Sequence, residues 1–370
     1  MKTALLVFCL LTAALTSMAA SQVQAERTVI AGRVLGLGAN DPRVIAVNFC
    51  DPLQPQNEIV IPLTAGGEFV ARYPMCFEQN ITVTYAGQLI HVFIAPADSV
   101  FLTIDLPKFS QADFTALHFR GSKDKFNNQF APFCDFFYRL TPPKLDLRLE
   151  PKALAQLILQ EVAQEMVDVR NYAQKNKIKQ RIVLWAKRDL IYQKNHQIKN
   201  YKPGNYQARK ALLTDEIFEL SSHHNFQTKL FATHLQSVWQ ALIEGDVRME
   251  EFRASEDEAG CIKRAIQLIC NTFPRSTMRD VMLYQCLYPR LAQQPDLYQG
   301  VPSGIFVNDL IRRKLEVAIS TPSRVSIYNL SSCVGDIIMD CNGNLITTPK
   351  RGQTAKRFMD SPAIDKLIKR

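Results

Sequence analysis

The stretch ITVTYAGQLIHVFI, residues 81–94, decides the fold of the first third of the chain. Its first half alternates apolar and polar residues as far as Tyr85, which is typical of a half-buried strand. Ala86-Gly87 then supplies a turn, and a second run of β-branched and aromatic residues follows it. Two such runs separated by a short glycine-containing turn predict a β-hairpin.

Further runs of the same composition lie on both sides of this hairpin, punctuated by Gly, Asp and Pro. They are Thr28–Val34, Val44–Phe49, Ile59–Leu63, Glu68–Ala71 and Val100–Ile104. Short strands at this spacing are typical of a β-sandwich or a barrel. We predict an antiparallel β-sandwich domain over residues 26–121.

The middle of the chain has a helical pattern instead. Ser122 is a predicted N-cap for its first helix. Apolar residues then recur every three to four positions from Leu154, which predicts one long helix that continues to Ile191 with a kink near Asn176. Further predicted helices are Ala211–Leu220, Phe226–Ile243, Glu256–Asn271, Met278–Leu291 and Ile305–Ile319. The prediction is an α-helical domain over residues 122–320, and hence an α+β fold.

The last 50 residues change pattern once more. Residues 321–333 are predicted to be a linker, because Pro and several Ser replace the helical periodicity. In Val334–Thr348, two short apolar runs flank Asn342-Gly343, the dipeptide best suited to a type I′ turn. This predicts a C-terminal β-hairpin. A hairpin and one helix cannot bury a core alone, so residues 321–370 are interpreted as a linker and the opening of an incomplete domain.

The N-terminal residues indicate export. Lys2 precedes an apolar run from Ala4 to Leu15, and small residues follow it, with cleavage sites after Ala19 or Ala25. This order predicts a signal peptide over residues 1–25 and a periplasmic location. The apolar run is too short to span a bilayer, and no later stretch is long and apolar enough, so no membrane span is expected.

The net charge of +9 is concentrated locally. Between Arg170 and Lys210 the only acidic residue is Asp189, among many Lys and Arg. A basic run can bind anionic polymers. Here it follows predicted helices without Gly-rich or aromatic recognition motifs, so we favour a solvated helix face and expect no nucleic-acid partner.

Eight cysteines follow the predicted signal peptide: Cys50, Cys76, Cys134, Cys261, Cys270, Cys286, Cys333 and Cys341. Their connectivity cannot be deduced from sequence. Cys261 and Cys270 lie about 13 Å apart along one predicted helix, beyond the roughly 7 Å that a disulfide allows between Cα atoms.

Four of these cysteines are candidates for a disulfide or redox role. Cys50 and Cys76 lie at the ends of different predicted strands and could pair. Cys333 and Cys341 are separated by extended chain and lack the helix N-terminus that lowers a thiol pKa. We therefore predict no catalytic residue at either pair.

Other chemistry finds little support in the sequence. His223, His224 and His234 lie close together, but a zinc site needs three or four ligands, and no Cys or acidic partner stands at ligand spacing. No nucleophile elbow, phosphate loop, dinucleotide fingerprint or His-Glu-x-x-His motif is present. We expect no metal and no cofactor.

Several motifs nevertheless follow one another in a recognisable order: Ile30-x-Gly32-x-Val34, Gly67-x-Phe69, Pro96-x-Asp98-Ser99-x-x-Leu102-x-Ile104-Asp105, Phe119-x-Gly121 and Asn127-Asn128. This order resembles the small β-sandwich that precedes the thioredoxin domain in TlpA-like periplasmic thiol–disulfide oxidoreductases. The usual Pro-Gly-Asp turn is Pro96-Ala97-Asp98 in this chain. Gly335-Asp336 with the hairpin after it resembles the opening hairpin of the thioredoxin-like domain itself.

The resemblance implies that this chain is a non-catalytic part of such a protein. In that family the catalytic helix opens with Cys-x-x-Cys, and this chain has no such motif. We therefore predict a non-catalytic N-terminal region, truncated or degenerate, that binds or positions a periplasmic protein or a thioredoxin-like domain. The alternative is a free-standing periplasmic binding or structural protein with no redox role. A third hypothesis, that this chain is itself an oxidoreductase, is the weakest because the nucleophile is missing.

Overall fold

The computed structural model describes residues 26–53, 58–109, 114–140, 144–198, 201, 206–212, 215–219, 222–243, 246–291 and 293–320, together with the backbone of 328–330, 335–339 and 345–347. The predicted signal peptide lies outside the described residues. Within them, the predicted α+β class is confirmed: strands fill the N-terminal region and helices the middle of the chain.

Two four-stranded sheets form the N-terminal region. Their strands are β1 (Glu26–Leu35), β2 (Val44–Asn48), β3 (Glu58–Pro62), β4 (Glu68–Met75), β5 (Gln79–Tyr85), β6 (Gln88–Ile94), β7 (Ser99–Asp105) and β8 (Leu117–Gly121). The first sheet has the order β4-β1-β7-β8 and the second the order β3-β2-β5-β6. Apolar side chains from both sheets meet in one shared core, as in a β-sandwich.

The pairing of β1 with β7 corrects the prediction of a fully antiparallel sandwich. These two strands run parallel, with Ile30 opposite Val100, whereas the other strand pairs of both sheets are antiparallel. A parallel pair needs a long crossover connection. Here the five strands between β1 and β7 provide it, since the chain passes between the two sheets before it returns.

A short helix, α1 (Leu106–Phe109), lies between β7 and β8 and packs in the sandwich core. The helical region follows β8, and its helices are α2 (Asp124–Arg139), α3 (Pro151–Lys175), α4 (Gln180–Ile198), α5 (Tyr206–Leu212), α6 (Asp215–Phe218), α7 (Phe231–Ile243), α8 (Val247–Ala254), α9 (Glu258–Thr272), α10 (Thr277–Leu291) and α11 (Asp309–Ser320). A 3₁₀ turn covers His223–Gln227. No helix in this described set is long and apolar enough to cross a membrane.

Several predicted helix boundaries were wrong. The single long helix is two helices, α3 and α4, because Lys177 adopts a φ of +53° that ends the helical path. Ser122 does not cap α2: Lys123 holds the cap position, and the Ser122 hydroxyl accepts a hydrogen bond from the Ser99 N–H. Helix α8 was not predicted; the Asp246 carboxylate caps it by accepting from the Met249 N–H.

The C-terminal hairpin is confirmed in its backbone. Strands β10 (Gly335–Met339) and β11 (Leu345–Thr347) pair antiparallel, with Ile338 opposite Ile346. A further strand, β9 (Tyr328–Leu330), pairs with β10 and lies inside the segment predicted to be a linker, which corrects that prediction. Asn342-Gly343 lies outside the described residues.

The helices cover strands β5 and β6 of the second sheet, while Val44 on β2 and Val60 on β3 are exposed. Phe77 and Phe93 come from the sandwich but belong to the helical core. Phe93 packs against Phe126 and Phe130 of α2, with ring centroids 4.9 and 5.5 Å apart. The outward-facing residues of β5 and β6 are accordingly buried except near their shared turn.

Polar contacts fix this junction. The Asn127 side chain accepts from the Phe93 N–H at 2.7 Å and donates to the Phe93 carbonyl at 3.0 Å. Asn128 makes the same pair of bonds to Phe119, at 3.0 and 3.1 Å. Two adjacent asparagines at the start of α2 therefore bind one strand of each sheet.

A carboxylate between β4 and β5 adds charge to the same junction. Glu78 forms ion pairs with Lys123 at 3.2 Å and with Arg181 of α4. Gln227 donates a hydrogen bond to the same carboxylate at 2.8 Å. These contacts tie the sandwich to three separate parts of the helical region.

Candidate functional site

A groove opens where the sandwich meets two helices. It lies between α7, α10 and the loop after β2, and its volume is about 220 Å³. Its lining combines aromatic, apolar and amide side chains, contributed by Pro52, Gln236, Trp239, Met282, Tyr284, Gln285, Cys286, Tyr288 and Pro289. Drug-sized ligands occupy cavities of roughly 300–1,000 Å³, so this groove suits one or two side chains of a larger partner.

The aromatic wall comes from the periodicity of α10. Tyr284 and Tyr288 are one helical turn apart, and their rings stack with centroids 5.5 Å apart and planes 5° from parallel. Tyr284 is buried and Tyr288 is half-buried, so Tyr288 is the more exposed ring and stacks on Tyr284 behind it. Trp239 of α7, also half-buried, belongs to the same lining.

The polar side chains of the groove lining are uncharged: two glutamines and two tyrosines, beside Trp239. The Gln285 side chain donates to the Pro52 carbonyl at 3.4 Å, which ties α10 to the loop after β2. Pro289 has no N–H, so it cannot donate the usual helical bond to the Gln285 carbonyl. No charged side chain belongs to the lining. The groove is therefore suited to an uncharged group with hydrogen-bonding capacity along its edge.

The cysteine nearest to this site is not activated. Burial raises the pKa of the Cys286 thiol to about 12 and that of Cys50 to about 11. Burial also raises the pKa values of Cys76 and Cys134. A redox or nucleophilic cysteine needs the opposite shift, because the thiolate is the reactive form.

Of the four candidate cysteines, Cys50 and Cys76 belong to the described residues. Cys50 and Cys76 are free thiols in the structure, and their disulfide stays a prediction. The Cys76 N–H donates to the Asp51 carboxylate at 2.9 Å, and the Leu53 N–H does the same, so Asp51 connects the two loops that carry these cysteines. Cys333 and Cys341 lie outside the described residues.

A second polar cluster lies below strand β6, with Asp189 and His91 buried and Tyr138, Gln193 and Lys229 half-buried. Asp189 of α4 accepts from the Tyr138 hydroxyl at 3.1 Å and from the Gln193 amide at 3.0 Å. Desolvation raises the pKa of Asp189 to about 6. His91 of β6 stacks on the Tyr138 ring at 4.6 Å, and the ammonium of Lys229 lies 5.0 Å from the centre of that ring. The cluster thereby connects β6 of the sandwich with α2 and α4 of the helical region.

The three histidines considered as metal ligands are divided by the fold. His223 and His224 stack on each other with ring centroids 3.9 Å apart. His234 is buried against Phe218, and neither of its ring nitrogens has a hydrogen-bond partner among the described residues. Within that part of the chain, no group of three or more His, Cys, Asp or Glu side chains is arranged to hold a metal ion.

The sequence reasoning missed the groove. The apolar positions of the Met278–Leu291 pattern were interpreted as core, and most of them are buried. The available signal was the pair Tyr284 and Tyr288 at helical spacing, followed at once by Pro289. Trp239 gave no separate signal, because its exposure depends on how α7 meets α10.

Comparisons with known proteins do not assign the chain to a group. No model of a protein family matches it, and no curated protein matches it in sequence.

Proposed function

We propose that this chain is a non-catalytic binding protein that holds a proline-containing, uncharged peptide segment of a partner in the groove between α7 and α10. The observation that carries this proposal is the lining: three aromatic rings, two glutamine amides and no charge. Aromatic-lined grooves take Pro-rich segments in several recognition modules, because the preformed polyproline II conformation loses little entropy on binding. Two prolines in the lining widen the flat apolar surface that such a segment contacts.

The chemistry of the described residues supports a binding role over a catalytic one. Burial raises the pKa of the one thiol in the groove lining, which removes its nucleophilic form at neutral pH. The buried Asp189 cluster holds a carboxyl, a phenol and a histidine, but these groups are bonded or stacked to one another inside the protein.

Tryptophan fluorescence tests the proposal directly. The chain has two tryptophans, and Trp185 is fully buried in the helical core, so a ligand-induced change reports on Trp239. The probe is an acetylated and amidated octaproline peptide, with an octamer of Gly and Ser as the negative peptide. We expect saturable change with octaproline only.

Two variants locate the binding. Tyr288→Ser removes a half-buried ring from the groove and is expected to weaken octaproline binding at least tenfold. Tyr172→Ser removes a half-buried ring from α3, outside the groove, and is expected to leave affinity unchanged. No saturable signal with octaproline, or equal weakening by both variants, would contradict the proposal.

A second candidate function keeps the family resemblance: the chain is the scaffold part of a TlpA-like protein. The observation that favours it is that residues of the shared motifs permit a close approach of strands, a turn and the junction with α2. A Cβ on Gly32 would lie 2.1 Å from the Leu102 carbonyl oxygen, and Gly67 has a φ of +80°. Asn127 and Asn128 bind one strand of each sheet, as described above.

Insulin reduction separates this scaffold from an active oxidoreductase. A scaffold lacking Cys-x-x-Cys gives turbidity no faster than the buffer containing dithiothreitol alone. Faster turbidity that is lost in Cys333→Ser or Cys341→Ser would contradict the non-catalytic assignment for both candidate functions.

A further inference from the structure

The first sheet of the sandwich carries an open outer face, formed by every second residue of β4, β1, β7 and β8. One row of opposed residues crosses all four strands: Val70, Ala31, Phe101 and Arg120. The side chains of Val70 and Phe101 are 48% and 41% exposed. Apolar residues therefore form the centre of this face, and among the described residues no element covers it.

Arginines surround that apolar centre. Arg72 stands on β4 opposite Val29, Arg33 lies two residues beyond Ala31 on β1, and Arg120 ends the central row on β8. All three side chains are exposed, and Arg27 adds another near the start of β1. Neither Arg72 nor Arg120 forms an ion pair with any described residue.

Acidic residues do not balance these charges. Glu68, opposite Arg33, and Asp105 are the acids of this face. Asp105 is paired with Lys108 at 3.2 Å, outside the sheet. The Arg33 guanidinium donates to the Gly66 carbonyl at 2.9 Å, which fixes its position without using its charge. The face consequently keeps a positive excess around an apolar floor.

The difference in length between the arginine and the apolar side chains of this face favours a peptide ligand over a bilayer. Arginine side chains are longer than valine or phenylalanine, so the charged groups stand above the apolar floor rather than beneath it. A flat anionic membrane would contact the arginines and leave the floor empty. A chain with an apolar side chain between two carboxylates fills the floor and reaches the arginines at once.

Strand geometry sets the spacing of such a ligand. Arg72 and Arg33 are separated by four residues along the strand direction, about 13 Å at 3.3 Å per residue, and Arg120 is two strands from β1, about 10 Å. In an extended peptide, residues i and i+4 lie on one side and about 13 Å apart, with residue i+2 between them. Guanidinium groups match carboxylates geometrically through paired hydrogen bonds.

We propose that this face binds an extended acidic segment of a partner protein, with an apolar side chain on Val70 and Phe101 and flanking carboxylates on the arginines. The face lies on the opposite side of the sandwich from the helices, so the proposal is independent of the groove and its ligand.

Fluorescence anisotropy with short labelled peptides tests it. The probe is Glu-Ser-Leu-Ser-Glu, which places two carboxylates and one leucine on a single side, and Gln-Ser-Leu-Ser-Gln is the uncharged counterpart. We expect binding of the acidic peptide only, weakening as salt is raised, because exposed charges are screened.

Matched variants separate this face from the general basic charge. Arg72→Gln with Arg120→Gln is expected to raise the peptide Kd at least tenfold, and Phe101→Ser about threefold or more. Arg170→Gln with Arg253→Gln removes the same charge from exposed helical positions and should leave Kd within twofold. An equal effect of both arginine pairs, no binding by the wild-type chain, or tighter capture by phosphatidylglycerol vesicles through Arg72 and Arg120 would overturn the proposal.

Discussion

The two sheets of the sandwich share one core but differ in their outer faces. The outward residues of β5 and β6 in the second sheet lie under α2 and the turn before α7, so His91 and Phe93 are buried. The outward residues of β4 and β7 in the first sheet are exposed, as Val70 and Phe101 show. Helices thus cover the β5–β6 half of the second sheet, whereas Val44 and Val60 on its β2–β3 half are exposed, like the outer face of the first sheet.

The difference is visible in the burial pattern along the strands. Strand β4 alternates exposed and buried residues along its whole length, as expected for a sheet with one solvated face. Strand β6 is buried continuously from Ile90 to Ile94. Burial of consecutive residues, rather than of every second residue, therefore distinguishes the strand that the helices cover.

The largest expected effect comes from comparing two phenylalanines. Phe93→Ala should lower the free energy of unfolding by about 4 kcal/mol, since it leaves a cavity between β6 and α2. Phe101→Ala, on the open face, should cost about 0.5 kcal/mol. Urea unfolding followed by circular dichroism measures both. Similar losses for the two variants would show that the faces do not differ.

The adjacent residues Asn127 and Asn128 allow the same comparison to be made with polar groups. Asn127→Ala leaves the buried N–H and carbonyl of Phe93 without their hydrogen-bond partner and should lower the free energy of unfolding by about 3 kcal/mol. Asn128→Ala removes the hydrogen-bond partner of the Phe119 N–H and carbonyl on the edge strand β8. Because water can replace the amide there, the free energy of unfolding should fall by about 1 kcal/mol. Urea midpoints of the two variants decide this. A larger loss for Asn128→Ala would contradict the assigned junction.

Acid should lower the free energy of unfolding through His91, which lies under the helices on β6. Burial lowers the pKa of this histidine to about 3, from 6.5 in an unfolded chain. Because the folded pKa is the lower one, the stability contributed by the neutral ring is present above pH 6.5 and lost as pH falls towards 3. Between pH 7 and pH 5 the loss is about 2 kcal/mol.

Comparing wild type with His91→Phe at both pH values isolates this contribution. The phenyl ring retains the stacking on Tyr138 but does not titrate, so the variant should lose about 2 kcal/mol less than wild type on acidification. The raised pKa of Asp189 opposes the trend equally in both proteins and cancels in the difference. Parallel pH profiles would contradict a buried neutral His91.

The smallest effect concerns the turn between β6 of the second sheet and β7 of the first sheet. Ala97 has a φ of +64°, a left-handed conformation that disfavours residues with a Cβ. Ala97→Gly should stabilise the protein by about 0.5 kcal/mol after the entropy of glycine is allowed for. Ala65→Gly, in an exposed turn without positive φ, should destabilise it by a similar amount. The same sign for both variants would contradict this account.

Local patterns predicted most elements. Seven of the eight sandwich strands and the C-terminal hairpin were identified from alternation and turn residues, and each was found in the structure. The break at Lys177 was expected only as a kink, because its positive φ leaves no trace in the apolar spacing. Helix α8 was missed since it is polar and short, with Met249 as its one buried residue.

Features that depend on distant contacts could not be predicted. The parallel register of β1 with β7 joins residues about 70 positions apart, and no local pattern encodes it. The groove requires Pro52, Trp239 and Tyr288 to meet, from three separate parts of the chain. The Asp189 cluster is similar: the sequence showed an isolated acid in a basic run, whereas its partner Tyr138 lies 51 residues away.

Hydroxyl-radical footprinting read by mass spectrometry most directly tests the central claim, that helices cover β5 and β6 of the second sheet and leave the outer face of the first sheet open. Phe93 and Phe101 are chemically identical reporters in one molecule, 1% and 41% exposed. The account predicts that Phe101 is oxidised at least tenfold faster than Phe93 in the folded protein, and at the same rate in urea. Equal protection of the two rings in the folded protein would contradict it.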